Sequence, residues 1–292
     1  MTITISAKDV AELRARTQAG MMDCKRALEE AGGDMERAAE LLRAKGIAKA
    51  EKRAGRSTSQ GLVVGTSDGT MGALLELTCE TDFVARTDGY GAAAEAMLAQ
   101  LAAVPPMSLE AFLALPAEGG TSSNTDRVKA ISATTGEGVA LKNATKFAPG
   151  DSGAVGMYLH HNRQVGVLVE VLCGTPAAAR HEAVTGLARE LAIHIASANP
   201  LAVRAEDLPP ALVERERRIA TEQVEQEGKP EAIRGKIIDG KVRKFVAEQV
   251  LLEQGWVKEE KKPVGQLVTE AAKVVGTSVT VSRFVRFQIG EV

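Results

Sequence analysis

Over the first 46 residues apolar side chains recur three to four positions apart, the spacing of a single buried helix face. Ser6 with Asp9 reads as a capping box ahead of Val10 and Leu13, and Gly20 stops this first helix. Asp23 opens a second helix carrying Cys24, Ala27 and Leu28, which ends at Gly32-Gly33. Asp34 caps a third, whose Ala38, Leu41 and Leu42 form an apolar face before Gly46. A bundle of about 45 residues buries only a small core, so it is expected to dock on something else.

Beyond residue 60 the pattern changes to short apolar runs separated by turn residues. Strand Leu62–Val64, turn Ser67-Asp68-Gly69 and strand Ala73–Cys79 lead into an Ala-rich helix through Met97 and Leu101, which Pro105-Pro106 ends. Residues 108–135 read as short helical pieces interrupted by Pro116 and a polar loop from Gly119 to Asn124. A second unit is expected to begin with a strand at Val139–Phe147. It continues through Ala154–His160, the tight turn His161-Asn162-Arg163-Gln164 and Val165–Leu172. Pro176 then opens an amphipathic helix with Leu187, Leu191 and Ile195, closed by Asn199-Pro200.

The two units are copies. A shift of 94 positions aligns Gly72-Ala73-Leu74-Leu75-Glu76-Leu77-Thr78-Cys79-Glu80-Thr81 with Gly166-Val167-Leu168-Val169-Glu170-Val171-Leu172-Cys173-Gly174-Thr175. After them, Glu206–Glu227 and a segment from Pro230 through Leu251 form a highly charged helical hairpin with a thin apolar seam at Leu212, Ile219 and Val224. Such a hairpin cannot bury itself, so it is expected to pair with a second chain or lean on a partner. A helix around Gln266–Val274 and a strand, Val279–Gln288, return to the second sheet. The expected fold class is α+β: an N-terminal three-helix bundle, two repeated antiparallel sheet-plus-helix subdomains and an inserted helical hairpin. The expected boundaries are 1–56 for the bundle and its basic linker, 57–138 for the first core unit, 139–200 with 256–292 for the second, and 201–255 for the hairpin module.

Composition narrows the function. With 36 basic and 38 acidic side chains the net charge is −2, which argues against a broad phosphate-binding face. The run Lys45, Lys49, Lys52, Arg53, Arg56 could touch RNA phosphates, giving an RNA- or ribosome-associated alternative, but reads first as a solvated helix tail and linker. Cys24, Cys79 and Cys173 are scattered and odd in number, so neither a disulfide framework nor a zinc site is indicated. No signal or transit profile and no run of 18 apolar residues occurs; a cytoplasmic location with no membrane contact is the expectation. Phosphate-binding loops and hydrolase motifs are missing too, so the chain is expected neither to bind GTP or GDP nor to be an enzyme, and no cofactor or metal is implied.

The candidate chemistry lies at the strand-to-helix corner Thr81-Asp82-Phe83-Val84. Thr81 and Asp82 suit the first uncovered amides of a helix. The second copy holds Pro176 and Ala177 where the first holds Asp82 and Phe83, so an acid beside an aromatic is more than the architecture demands. The pair is either a probe for another macromolecule, or Asp82 caps the helix while Phe83 fills the core. Met21-Met22, in the connection after Gly20, offers an adaptable apolar patch unless one of the two fills the core; Arg14 alone reads as solvated. His160-His161 sits at a hairpin tip, in an exposed turn or partner contact, and His181 and His194 read as helix surface or satisfied core.

Three stretches resemble the elongation factor Ts family. Leu13–Leu28 is similar to its N-terminal signature, with Gln18 where a small residue is usual; Glu76–Arg86 is similar to its Thr-Asp-Phe-Val-Ala motif; Lys236–Phe245 is similar to its hairpin segment. The resemblance implies a ubiquitin-associated-like (UBA-like) N-terminal bundle that docks on the GTPase elongation factor Tu through Arg14, Met21 and Met22. It implies that Thr81, Asp82, Phe83 and Val84 enter beside the GTPase's magnesium site to promote GDP release, that His160 also faces the partner, and that the hairpin is a coiled-coil or dimerisation module through which a homodimer can form. Many relatives carry a further C-terminal helix touching elongation factor Tu. That contact is not expected here.

Overall fold

The computed structural model describes residues 5–17, 19–53, 55–117, 122–228 and 230–291. Gln18, part of the loop from Gly119 and Lys229 therefore lie outside the described residues, as does the side chain of Lys49. Three helices come first: α1 (Ala7–Thr17), α2 (Met21–Glu30) and α3 (Met35–Arg53). The Ser6–Asp9 capping box forms as expected, and Leu13, Cys24, Ala27, Leu28 and Ala38 close a small core. Two boundaries differ from the sequence reading. Gly20 is the N-cap of α2, so Met21 and Met22 belong to its first turn and not to a connection. Gly46 does not end α3, which runs on to Arg53; it is the point where α3 presses on a later helix, and a Cβ there would lie 2.8 Å from the Cβ of Ala133.

The first core unit contains β1 (Gln60–Ser67), β2 (Gly72–Cys79), the single turn α4 (Asp82–Ala85), α5 (Asp88–Ala103), α6 (Leu109–Ala114), α7 (Asn124–Thr135) and β3 (Val139–Phe147). The second contains β4 (Gly153–Leu159), β5 (Val165–Cys173), α8 (Pro176–Arg180) and α9 (Glu182–Ala198). The hairpin helices α10 (Pro210–Gln226) and α11 (Glu231–Gln249) follow, then a two-stranded ribbon of β6 (Gly255–Trp256) and β7 (Glu259–Pro263), then α12 (Val264–Val275) and β8 (Val279–Gln288). The sheets run β1-β2-β3 and β4-β5-β8, all antiparallel.

This order corrects the expectation that Val139–Phe147 opens the second unit. β3 pairs with β2 from Cys79↔Val139 to Gly72↔Phe147, because Val139, Leu141 and Ala144 complete the same core as Leu75, Leu77 and Met97. Its counterpart in the second sheet is β8, which pairs with β5 from Cys173↔Val279. With that correction the duplication is complete. Each central strand carries a β-bulge at the same repeat position, Glu76/Leu77 and Glu170/Val171, and each third strand follows a helix closed by a left-handed glycine, Gly136 or Gly276.

The two sheets meet face to face through Val63, Leu74, Phe147, Val155, Leu168 and Phe287. Close approach requires glycine. A Cβ on Gly72 would sit 2.8 Å from Leu168 and Val155, and one on the equivalent Gly166 would sit 2.6–2.8 Å from Val63 and Leu74. The contact is thus a pseudo-twofold. Helix α3 packs on α7, joining the bundle to the first unit. The hairpin is rooted by Ala202, Leu208 and Val250 and holds Ala220, Val224 and Val242 in its seam, whereas Ile219 and Ile233 stay exposed. Among the described residues no helix is long and apolar enough to cross a membrane.

Candidate functional site: the Thr81–Val84 corner

Every residue of β2 is buried, so the chain must leave the sheet at Cys79 with its polar groups accounted for. Thr81 takes extended backbone angles as N-cap of α4, and its hydroxyl oxygen accepts from the Val84 N–H at 3.4 Å. The same hydroxyl donates to Glu137 Oε1 (2.6 Å), and the Thr81 N–H donates to Glu137 Oε2 (3.0 Å). Beside it the Glu80 carboxylate accepts from the Gly138 N–H and from Arg56. Those two donors, the amide first, hold Glu80 below the usual carboxylate range. Capping by Thr81 leaves Asp82 free of that task.

From this anchored base Phe83 points outward with 81% of its surface exposed. The reading in which Phe83 fills the core is excluded. Asp82, half-exposed, pairs with Arg86 at 2.9 Å, one helical turn on. Val84 turns the other way and packs on the first core, so it supports the corner and is not part of its exposed tip.

An open cleft of about 1100 Å³ lies beside the tip, between the start of β1, α5 and the turn joining β4 to β5. Arg163 in that turn has a left-handed backbone (φ 57°), and its guanidinium reaches Glu95 of α5 at 3.2 Å. The Gln164 side chain donates to the Gly61 carbonyl (3.1 Å), and the Val63 N–H donates to that of Arg163 (2.8 Å), so the turn is fixed to the first unit. His161, Asn162 and Arg163 line the cleft with Asp82 and Phe83. His160 does not; it is half-buried, its Nδ1 2.7 Å from the Tyr158 hydroxyl.

Met21 and Met22 are both exposed, at 57% and 63%, which rules out core filling for either; Arg14 is exposed on α1. The structure does not bring these three into the cleft, whose walls come from the two core units. Cations of the basic run are engaged within the chain: Lys45 with Glu30, Arg53 with the Ser132 carbonyl and Arg56 with Glu80. Among the described residues, no three or more His, Cys, Asp or Glu side chains are grouped to hold a metal ion.

Residues 80–291, from this corner to the end of the second sheet, match the family model described as Elongation factor TS. The chain is 44% identical to Elongation factor Ts of Symbiobacterium thermophilum over 289 residues, covering 98% of this chain and 92% of the relative. It belongs to the elongation factor Ts family. Elongation factor Ts of Nitratidesulfovibrio vulgaris is 41% identical over 291 residues, covering 99% of this chain and 97% of the relative. Elongation factor Ts of Aquifex aeolicus is 41% identical over 303 residues, covering 99% of both. Family membership makes the chain a translation elongation factor of protein biosynthesis. Within this elongation factor Ts family member, sequence reasoning missed Glu137, Arg56, Glu95 and Arg163 as neighbours of the corner. Glu137 lies 56 positions from Thr81, and no local pattern marks a carboxylate that acts at such a separation.

Proposed function

We propose that this chain is a guanine-nucleotide exchange factor that binds GDP-loaded elongation factor Tu, disturbs its magnesium and phosphate site and promotes GDP release so that GTP can rebind. The exposed Phe83 ring beside the Asp82 carboxylate carries this reading. Phe83 supplies an apolar wedge of the kind that dominates protein contacts, and Asp82 brings negative charge to the surroundings of the metal. No covalent bond changes, and the nucleotide and magnesium belong to the partner.

Exchange needs differential binding. A factor that weakens GDP about a hundredfold supplies roughly 2.7 kcal/mol of coupling, and GDP must weaken the factor by the same amount. A wedge that fits only the disturbed pocket has this property, because it adds nothing to affinity for the undisturbed state. Met21 and Met22, with Arg14, are proposed to dock the bundle on the GTPase. His160, half-buried beside Tyr158 at the start of the β4–β5 turn, is proposed to face the partner as well. The exposed Ile219 and Ile233 of the hairpin are the surface offered to a second copy in a homodimer, and the cytoplasm is the compartment where this activity is needed.

The test is release of fluorescent GDP from purified elongation factor Tu, with and without this chain. Acceleration by the chain and its loss in Phe83→Ala are expected. Simultaneous replacement of Asp82 and Phe83 by alanine with an unchanged release rate overturns the wedge.

A further inference from the structure

We propose that Glu137 is a positioning residue: its carboxylate clamps the corner at Thr81 and sets the direction in which Asp82 and Phe83 project. The inference rests on the exchange reading above and names a residue that acts through the corner without touching the partner. Both carboxylate oxygens are used, Oε1 by the Thr81 hydroxyl and Oε2 by the Thr81 N–H, at 2.6 and 3.0 Å. Two bonds to one residue fix orientation as well as distance, and an ionised acceptor strengthens each. The clamp is itself held. Gly136 closes α7 in the left-handed conformation, Ser132 Oγ donates to the Glu137 carbonyl at 2.5 Å, and the Gly138 N–H binds Glu80 on the other side of the corner.

The duplication supplies an internal control. Since Cys79↔Val139 corresponds to Cys173↔Val279, Glu137 corresponds to Thr277 and Glu80 to Gly174. Thr175, like Thr81, caps its helix, accepting from the Ala178 N–H at 3.3 Å. There the corner leads to Pro176 and Ala177, and a threonine and a glycine replace the two acids. The scaffold therefore forms this corner without carboxylates. Both acids occur only in the copy that displays an aromatic tip, where a four-residue helix with no buried residue gives Phe83 little packing to hold it in place.

The experiment has two arms. On the free chain, amide hydrogen exchange at Thr81 through Ala85 is compared between wild type, Glu137→Ala and the isosteric Glu137→Gln. About tenfold faster exchange at Thr81 is expected for Glu137→Ala, with partial recovery in Glu137→Gln, which keeps one acceptor oxygen. In GDP release from elongation factor Tu, Glu137→Ala is expected to lower the maximal rate about tenfold with little change in the half-saturating concentration. It should have no further effect once Phe83 is alanine. Circular dichroism and melting identify a variant that has lost its fold, for which Glu137→Gln serves instead. Unchanged protection at Thr81, or an equal loss of rate with and without Phe83, overturns the positioning role. A wild-type chain that fails to accelerate release refutes the exchange reading instead, and the hydrogen-exchange arm still decides whether Glu137 holds the corner.

Discussion

A phenylalanine with four-fifths of its surface in water contributes almost nothing to its own fold, and that decides what its removal should do. Phe83→Ala is expected to leave the melting temperature within about 2 °C, since exposed substitutions change stability by about 0.5 kcal/mol or less. GDP release from elongation factor Tu should fall about tenfold or more; a melting scan and a release assay on the same preparation check both. His194 is the opposite case, fully buried, with its Nδ1 accepting from Val257 N–H at 3.3 Å and its Nε2 donating to Gln254 at 2.9 Å. The bond from Val257 requires a neutral ring, whereas the bond to Gln254 is kept in either charge state; burial outweighs the latter and depresses the pKa below 6.5. The unfolded chain then binds the extra proton first, so stability is whole above pH 6.5 and declines as pH falls from there through the folded value, by at most about 1.4 kcal/mol per pH unit. Urea midpoints between pH 7.5 and 5 should show this decline, with a smaller slope in His194→Gln. At this scale a cap at Thr81 or Asp82 was legible, because a cap acts on an amide three residues away, but the choice of Thr81 over Asp82 was not. The outward turn of Phe83 was not, since an N-terminal helical turn admits either direction until its neighbours are known.

Elements show where local signals mislead. Glycine stops many helices, and Gly46 looked like such a stop, but here it gives α3 clearance over Ala133 of α7. Propensity alone favours Gly46→Ala by roughly 1 kcal/mol, whereas forcing two methyl groups to 2.8 Å costs about 1–3 kcal/mol, so packing wins. Gly46→Ala is expected to lower the denaturation midpoint. Adding Ala133→Gly should restore more than half of the loss by removing the opposing methyl, less the cost of glycine in α7. A strictly additive double variant contradicts the contact. The misassigned strand β3 has a related cause: its apolar alternation is visible in the sequence, but which sheet it joins depends on Cys79↔Val139 pairing across 60 positions. The 94-residue repeat was visible because its strands, corners and caps are each local. Its third strand was legible in the second copy, where Val279–Gln288 returns to the second sheet as expected, but not as the counterpart of β3, because insertions of different length separate the two from the aligned core, with α6 and α7 in one copy and the whole hairpin in the other.

In the whole molecule the duplication serves as a rigid mount. Two sheets pressed together through Gly72 and Gly166 fix the β4–β5 turn against the first unit, so the cleft beside Phe83 has walls from both copies. The bundle, held on α7, presents Met21 and Met22 away from that cleft and over a core of its own. On the exchange reading proposed above, two separate apolar surfaces suit two steps: docking on a GTPase whose pocket is still closed, and entry into a pocket that opens only as magnesium is disturbed. Interactions made equally before and after the rate-determining event change affinity, whereas those made only afterwards change rate. Replacing both Met21 and Met22 with lysine is therefore expected to raise the half-saturating concentration for GDP release about tenfold while keeping the maximal rate. Phe83→Ala should do the reverse. Titrating each variant against a fixed amount of GDP-loaded elongation factor Tu separates the two parameters. The division of labour fails if the methionine variant loses maximal rate at unchanged half-saturation, because the bundle would then act on the opened pocket and the corner would no longer be the sole wedge.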